Sequence, residues 1–326
     1  MNFFTPVEIE KPSFSIDYNS KIVFIGSCFA ENISLYFENA KFQSLKNPAG
    51  ILYNPLSINT MIENIWNKKH YTEKDFFFDG TQYNSYDFHS RFSSSDLYQT
   101  LENVNNSFEK AYNFFCSANV FFITLGSAYV YFLKETLLPV ANCHKQKSEK
   151  FFRRLISVDE VKNALINIVE TIQKFNNQAR IVFTVSPLRH FRDGAHNNNL
   201  SKSTLELGIN EIIEKYENVS YFPSFEIVID ELRDYRFYAS DMIHLSEVSE
   251  QYIWQKIQQT YFSSNVILQV EKVEKFMKSA NHRVQNAFSE ASKAFAKKNF
   301  LLAEALESEI QGLKLDKEKE YFSRFC

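Results

Sequence analysis

The sequence predicts an α/β fold, a three-layer sandwich with a mostly parallel central sheet, followed by a helical C-terminal extension. Three observations carry this reading. Apolar runs over Lys21–Ile25, Val120–Leu125 and Arg180–Val185 each stop at a small residue, Gly26, Gly126 or Ser186, as buried parallel strands do at a sheet edge. Helical patterns lie between these runs, so strands alternate with helices. Beyond Val266 the composition shifts to Glu, Lys and Ala with apolar residues at helical spacing, as in VEKVEKFM and NFLLAEALESEI, which predicts two helices there.

In chain order, residues 1–20 carry Pro6 and Pro12 and read as an extended lead-in. The strand over Lys21–Ile25 breaks at Gly26, and a helix is predicted from about Phe29 to Phe37. Asn47-Pro48 and Asn54-Pro55 bracket a short apolar run, and a helix follows from about Leu56 to Asn67, with Ser57, Asn59 or Asn54 as its cap. Residues 68–98 read as a long excursion with a hairpin. A helix over about 96–115, the second strand, and a second excursion over 127–145 come next. A helix at about 158–175 precedes the third strand. The polar run RHFRDGAHNNN is predicted to be a loop leading to a helix from about Lys202 to Tyr216. Val219–Phe222 is strand-like, Glu226–Leu232 helical, and a helix over about 246–261 closes the domain. The predicted division is a domain over 1–262 and a helical extension over 263–326.

Composition narrows the class. The 326 residues, 44% hydrophobic and 23% charged, suffice for a sizeable core, and the net charge of −3 gives no case for nucleic acid. The 33 Phe and 17 Tyr point first to an aromatic-rich core. Cys28, Cys116, Cys143 and Cys326 show neither disulfide-framework nor zinc-knuckle spacing. There is no signal-peptide pattern and no run near the ~20 apolar residues of a membrane span, so a soluble, reduced, cytoplasmic protein without membrane partners is expected. With seven glycines a phosphate-cradling loop is not expected, and His190, His196 and Asp241 match no helix-borne metal pattern, so neither cofactor nor metal is predicted.

The chemistry concentrates at two places. In KIVFIGSCFAENI a strand breaks at Gly26 and re-enters as a helix, putting Ser27 and Cys28 at the C-terminal edge of the sheet, where helix N–H groups can stabilise an anion. In SDMIHLSEVSEQYIW, Asp241 lies three residues before His244 and just ahead of a helix. Such a pair can serve as the orienting acid and general base of a triad. The strand ends at Gly26, Gly126 and Ser186 are expected to converge on one site.

The motif Gly26-Ser27-Cys28-Phe29-Ala30, with D-x-x-H at 241–244, resembles the GSCFA family, a branch of the Ser-Gly-Asn-His (SGNH, GDSL-like) hydrolase superfamily. The likeness runs from about Lys21 to Phe262. It implies a flavodoxin-like sheet and an esterase or acyl hydrolase working through a Ser/Cys-His-Asp triad and a covalent acyl-enzyme. Small esters, O-acetylated carbohydrates among them, are the substrates it implies. An acyltransferase of the same mechanism is the alternative, as is a non-catalytic binding module on a hydrolase fold. Laid on the family's first block, the attacking position falls on Cys28, or on Ser27 with a shift of one residue, and both stand. A thiol at a helix N-terminus beside a histidine is expected to have a lowered pKa. The superfamily's block-three asparagine is missing from Gly126-Ser127-Ala128-Tyr129. Asn142 is the candidate to replace it, a plain turn residue being the alternative reading, and Gly50 resembles the second-block donor of the implied oxyanion hole. His89, Arg91, His144, Arg189 and His190 are further candidates to line the cleft, an arginine there suiting a carboxylate or phosphate. The C-terminal helices offer a surface for packing, for a homodimer or for another partner.

Overall fold

The computed structural model describes residues 5–189, 191–281 and 289–325. Its central sheet contains β1 (Lys21–Gly26), β2 (Gln43–Lys46), β3 (Val120–Leu125), β4 (Arg180–Val185) and β5 (Val219–Tyr221), in spatial order β5-β4-β3-β1-β2. The pairs β1–β3, β3–β4 and β4–β5 are parallel, with Gly26 opposite Thr124 and Leu125 opposite Val185. Read from the other edge this is 2-1-3-4-5, the flavodoxin-like doubly wound order, in which ligands bind beyond the strand ends at the reversal between β1 and β3. The strand ends do converge. Ser27 N–H donates to Thr124 O at 3.3 Å, and Ser186 N–H donates to Leu125 O at 2.8 Å.

The flanking helices are α1 (Cys28–Asn39), α2 (Pro55–Trp66), α3 (Leu97–Phe115), α4 (Val158–Phe175), α5 (Gly194–Ile213) and α6 (Glu247–Tyr261), followed by α7 (Ser264–Ala280), α8 (Glu290–Glu309) and α9 (Asp316–Ser323). Their starts follow from local chemistry. Asn54 is the cap of α2, its side chain accepting from Ser57 N–H at 2.9 Å, with Pro55 in the first helical position. Asp96 caps α3, and Ser157 with Glu160 forms a reciprocal capping box on α4.

Two predicted boundaries shift. The polar run expected to be a loop is already helical from Gly194, because Asn198, Ser201, Lys202 and Leu205 form a continuous buried stripe at helical spacing. Beyond residue 263 there are three described helices rather than two. In α9 Phe322 is the buried residue, too weak a periodicity to read from sequence. The first excursion holds the expected hairpin, Phe77–Phe78 against Tyr83–Asn84. The second becomes an antiparallel sheet in which Tyr129–Leu133 pairs with Pro139–Val140 and Phe151–Leu155.

The chain forms two compact units. The first comprises the residues before Glu10, Ile22–Ile33 and Leu45–Ile253; the second comprises Glu10–Lys21, Ser34–Ser44 and the chain from Trp254. In the first, Val23, Ile25, Phe121, Ile123, Leu125, Ile181 and Phe183 pack with the apolar stripes of α2, α3, α4 and α5 into one core. All of β3 is buried, as a parallel strand covered on both faces should be. The second unit is built on aromatic packing. Tyr18 stacks on Phe42 at 4.4 Å, and Phe37 meets Trp254 edge-on at 4.7 Å. Lys41 pairs with Glu318 at 2.5 Å. No described helix is long and apolar enough to cross a membrane.

Gly26 has φ +129°, and a Cβ added there would lie 2.0 Å from Thr124 O. Since that oxygen belongs to the adjacent strand, relaxation is confined. Gly26→Ala is expected to destabilise by about 2–4 kcal/mol, measured by denaturant unfolding. An unchanged midpoint would mean that the sheet edge can open.

Candidate active site

The turn between β1 and α1 is fixed from several directions. Gly26 N–H donates to Asn47 Oδ1 at 2.8 Å, and Gly26 O accepts from Leu52 N–H at 2.9 Å. Asn47 is buried in a left-handed conformation, φ 39°, and its Nδ2 donates to Glu31 Oε2 at 3.2 Å. Arg91 donates to both Glu31 oxygens at 3.1 Å and also to Asn47 O. Arg91 therefore acts on the turn, through Glu31 in the first helical turn of α1 and through Asn47 beneath Gly26. The cleft-lining arginine expected from sequence is spent on a brace.

Cys28 is the first residue of α1 and is half-buried. Burial pushes its thiol above the ordinary cysteine range. The N–H groups of Phe29 and Cys28 and the charge of Lys202 pull it down, while Glu250 pushes it up. The lowered pKa expected at a helix N-terminus is thus not found, because desolvation outweighs the helix and the lysine. Ser27 is 1% exposed, and its Oγ has no hydrogen-bond partner among the described residues. Of the two candidate nucleophiles, Cys28 is the accessible one.

Asp241 and His244 are brought together. His244 Nδ1 lies 2.5 Å from Asp241 Oδ2, and Asp241 Oδ1 accepts from the N–H groups of Ile243 and His244 at 2.9 Å each. The His244 ring first, and then these N–H groups, hold the Asp241 carboxyl down at about 2, so it is ionised throughout the neutral range. Both side chains are about half exposed, at 52% and 48%. With Nδ1 turned to the carboxylate, Nε2 is left for proton traffic. The imidazole makes no hydrogen bond to Cys28 or Ser27. Glu250, on α6, interacts electrostatically with both Cys28 and His244, and it accepts from Asn32 Nδ2 at 2.6 Å.

The other described candidates make hydrogen bonds of their own. Gly50 N–H donates to Asn47 O at 2.8 Å, so a role for it in an oxyanion hole requires that bond to open. Asn142 Oδ1 accepts from His144 N–H at 2.9 Å, which makes Asn142 a turn residue here. His144 is buried with Nε2 at 2.7 Å from Ser85 O, and burial lowers its pKa. His89 caps a short helical turn, its Nδ1 accepting from Arg91 N–H at 3.3 Å. Arg189 donates to Asn199 Oδ1 at 2.8 Å. His190 lies outside the described residues, and no three described His, Cys, Asp or Glu side chains cluster as a metal site.

Sequence reasoning missed Asn47, Glu31, Tyr53, Glu250 and Lys202. Burial raises the Tyr53 pKa, with Cys28 and Glu31 adding to it, so the phenol shares their electrostatic environment. Lys202 carried little signal, since Asn198 and Ser201 precede it on the buried stripe, which turns apolar only beyond it, at Leu205, Ile209 and Ile212. Asn47→Ala leaves the buried Gly26 N–H without an acceptor and Glu31 with one donor fewer. A loss of about 1–3 kcal/mol is expected in unfolding experiments, against a few tenths for a substitution at exposed Asn199.

The periplasmic domain of a lipopolysaccharide acetyltransferase from Salmonella ser. Paratyphi A is similar at 13% identity and TM-score 0.35, covering 74% of this chain and 83% of that one. The acetyl xylan esterase Est2A from the rumen bacterium Butyrivibrio proteoclasticus is similar at 12% identity and TM-score 0.36, covering 75% of this chain and 65% of that one. A search of curated proteins returns no match. The model of the GSCFA family matches residues 21–257, more than half of the chain, including the turn at Gly26 and the Asp241–His244 loop. The chain belongs to the GSCFA family.

Proposed function

We propose that this chain is an acyl hydrolase acting on a small ester, with Cys28 as nucleophile, His244 as general base and Asp241 as the group that orients it. The observation that carries the reading is the imidazole held at Nδ1 by a carboxylate, on the loop before α6, together with an accessible thiol at the start of α1. Because burial raises the thiol pKa, Cys28 is protonated at neutral pH, and attack requires a base.

In the proposed cycle His244 Nε2 takes the Sγ proton as sulfur bonds to the acyl carbon. The imidazolium, stabilised by Asp241, returns that proton to the departing alkoxide as the ester C–O bond breaks, leaving a thioester on Cys28. Water then attacks the thioester and gives its proton to His244. The C–S bond breaks, the acid leaves, and the thiol recovers the proton. The N–H groups that open α1 are the donors nearest the developing oxyanion. Since His244 makes no hydrogen bond to Sγ in the free chain, the contact is made as substrate enters, as catalytic contacts often are. O-Acetylated sugars fall within the substrate class, and a hydroxyl in place of water turns the same cycle into acyl transfer.

One observation favours binding without turnover. The N–H groups of Gly50, Gly126 and Ser127 are all engaged, the first with Asn47 O at 2.8 Å, the others with Tyr53 O at 2.7 and 2.9 Å. Assays with aryl acetates separate the two readings. Wild type is expected to hydrolyse them, with kcat/KM falling roughly 10²–10⁴-fold in Cys28→Ala and in His244→Ala, and at least about tenfold in Asp241→Asn. Full activity in Cys28→Ala would contradict the assignment of the nucleophile, and a wild type no faster than buffer would favour the binding module.

A further inference from the structure

One buried charge near the turn has no part in the proposed cycle. Lys202, on α5, is 2% exposed. Its Nζ donates to Gly126 O at 2.9 Å and to Ser186 O at 2.6 Å, the carbonyls just beyond β3 and β4. An ammonium has three N–H donors, so one remains, and it has no acceptor among the described residues. The Phe225 ring lies 5.6 Å from Nζ. No described carboxylate forms an ion pair with Lys202; a buried cation normally requires one. Burial lowers its pKa to about 7, against the opposing pull of Glu206 and Cys28, while Arg189 lowers it further.

The placement is particular. Lys202 joins the ends of β3 and β4, and β3 is the strand paired with β1, whose end carries Cys28. Each of Lys202 and Cys28 feels the other's charge. A purely structural plug between two carbonyls needs donors and no charge.

Resting on the reading of Cys28 as nucleophile, we propose that Lys202 is a positioning residue whose ammonium, pinned to the two strand-end carbonyls, stabilises the Cys28 thiolate once the proton has left. The groups facing this pair are Glu250 from α6 and the Tyr53 phenol ahead of α2 on the Cys28 side, and Glu206 of α5 and Arg189 beyond β4 on the Lys202 side. Glu250 opposes the thiolate, and Arg189 opposes the ammonium.

The test is the pH profile of Cys28 alkylation by iodoacetamide, read by peptide mass spectrometry from about pH 5 to about pH 10, with exposed Cys116 as the internal standard. In Lys202→Met the alkylation rate of Cys28 near neutral pH is expected to fall several-fold, with the two profiles converging in the alkaline range where the lysine is neutral; Lys202→Arg, charged throughout, is expected to restore most of the neutral-pH rate. Profiles of wild type and Lys202→Met that superimpose after normalisation would overturn the proposal. Where Lys202→Met does not fold, wild type decides. The titration midpoint of Lys202, followed by NMR at its ε-carbon, is expected to lie higher when Cys28 carries an anionic sulfonatoethylthio cap than when it carries a neutral methylthio cap, and equal midpoints overturn the proposal. Alkylation needs no turnover, so the two readings fail separately. Ester hydrolysis lost in His244→Ala with an unshifted Lys202→Met profile removes only the lysine's role. A shifted profile with no hydrolysis in wild type removes only the catalytic cycle.

Discussion

At the end of β1 the backbone has room for a hydrogen and nothing more. Gly26 sits at φ +129° with Thr124 O where a Cβ would be, its N–H on Asn47 and its carbonyl on Leu52. Because of that contact the chain turns sharply enough for Cys28, two residues on, to open a helix at the sheet edge. The turn is then held by charge. Glu31 accepts at both oxygens from Arg91 Nη1 and at one of them from Asn47 Nδ2, so the first turn of α1, the segment under Gly26 and the excursion carrying Arg91 are one hydrogen-bonded body. With Arg91 and Glu31 35% and 27% exposed, solvent screens the ion pair, and each of these bonds is of order 0.5–1 kcal/mol net. Here they act on geometry as much as on stability.

The electrostatics of the site follow from burial. Taken from water, a thiol gains pKa and an ammonium loses it, and both changes are found, in Cys28 and Lys202. The Asp241–His244 pair lies in the half-exposed loop ahead of α6, where its carboxylate stays ionised at little cost. On the proposed reading, a protonated thiol and an oriented imidazole are the resting state that substrate brings together. Linkage adds a consequence for stability. Since the folded-state pKa of Lys202 lies below its ordinary value, the unfolded chain binds more protons between about 7 and the usual lysine range. This group therefore disfavours folding below that window, and the penalty fades as pH rises through it.

How far the sequence discloses this depends on the range of the interaction. The α/β class, the sheet strands and the sharp turn are legible because each is written locally, in apolar runs that stop at Gly26, Gly126 and Ser186. Asp241 and His244 are legible because three residues separate them. The brace is not, since Asn47 reaches back 21 residues to Gly26 and Arg91 reaches 60 to Glu31. Arg91, His144 and Asn142 look like cleft residues in sequence because their types suit a cleft. In the fold Asn142 accepts from the His144 N–H, His144 reaches across to Ser85 O in the first excursion, and Arg91 holds the turn. Lys202 is missed too, since in sequence it marks only the start of a predicted helix, and its burial shows once α5 is placed against the strand ends. The lowered thiol pKa fails for a related reason. A helix start is visible in sequence, while the depth at which it is buried is a property of the whole fold.

The central claim is that Cys28 carries an acyl group through the cycle. The direct measurement is rapid acid quenching of the protein during its reaction with an activated acetyl ester, followed by peptide mass spectrometry to locate the acetyl group. The account predicts transient acetylation of Cys28, stoichiometric with the protein and faster than at Cys116, with slowed formation in His244→Ala. An acetyl group carried on Ser27, or turnover with no covalent intermediate at any stage, would contradict it.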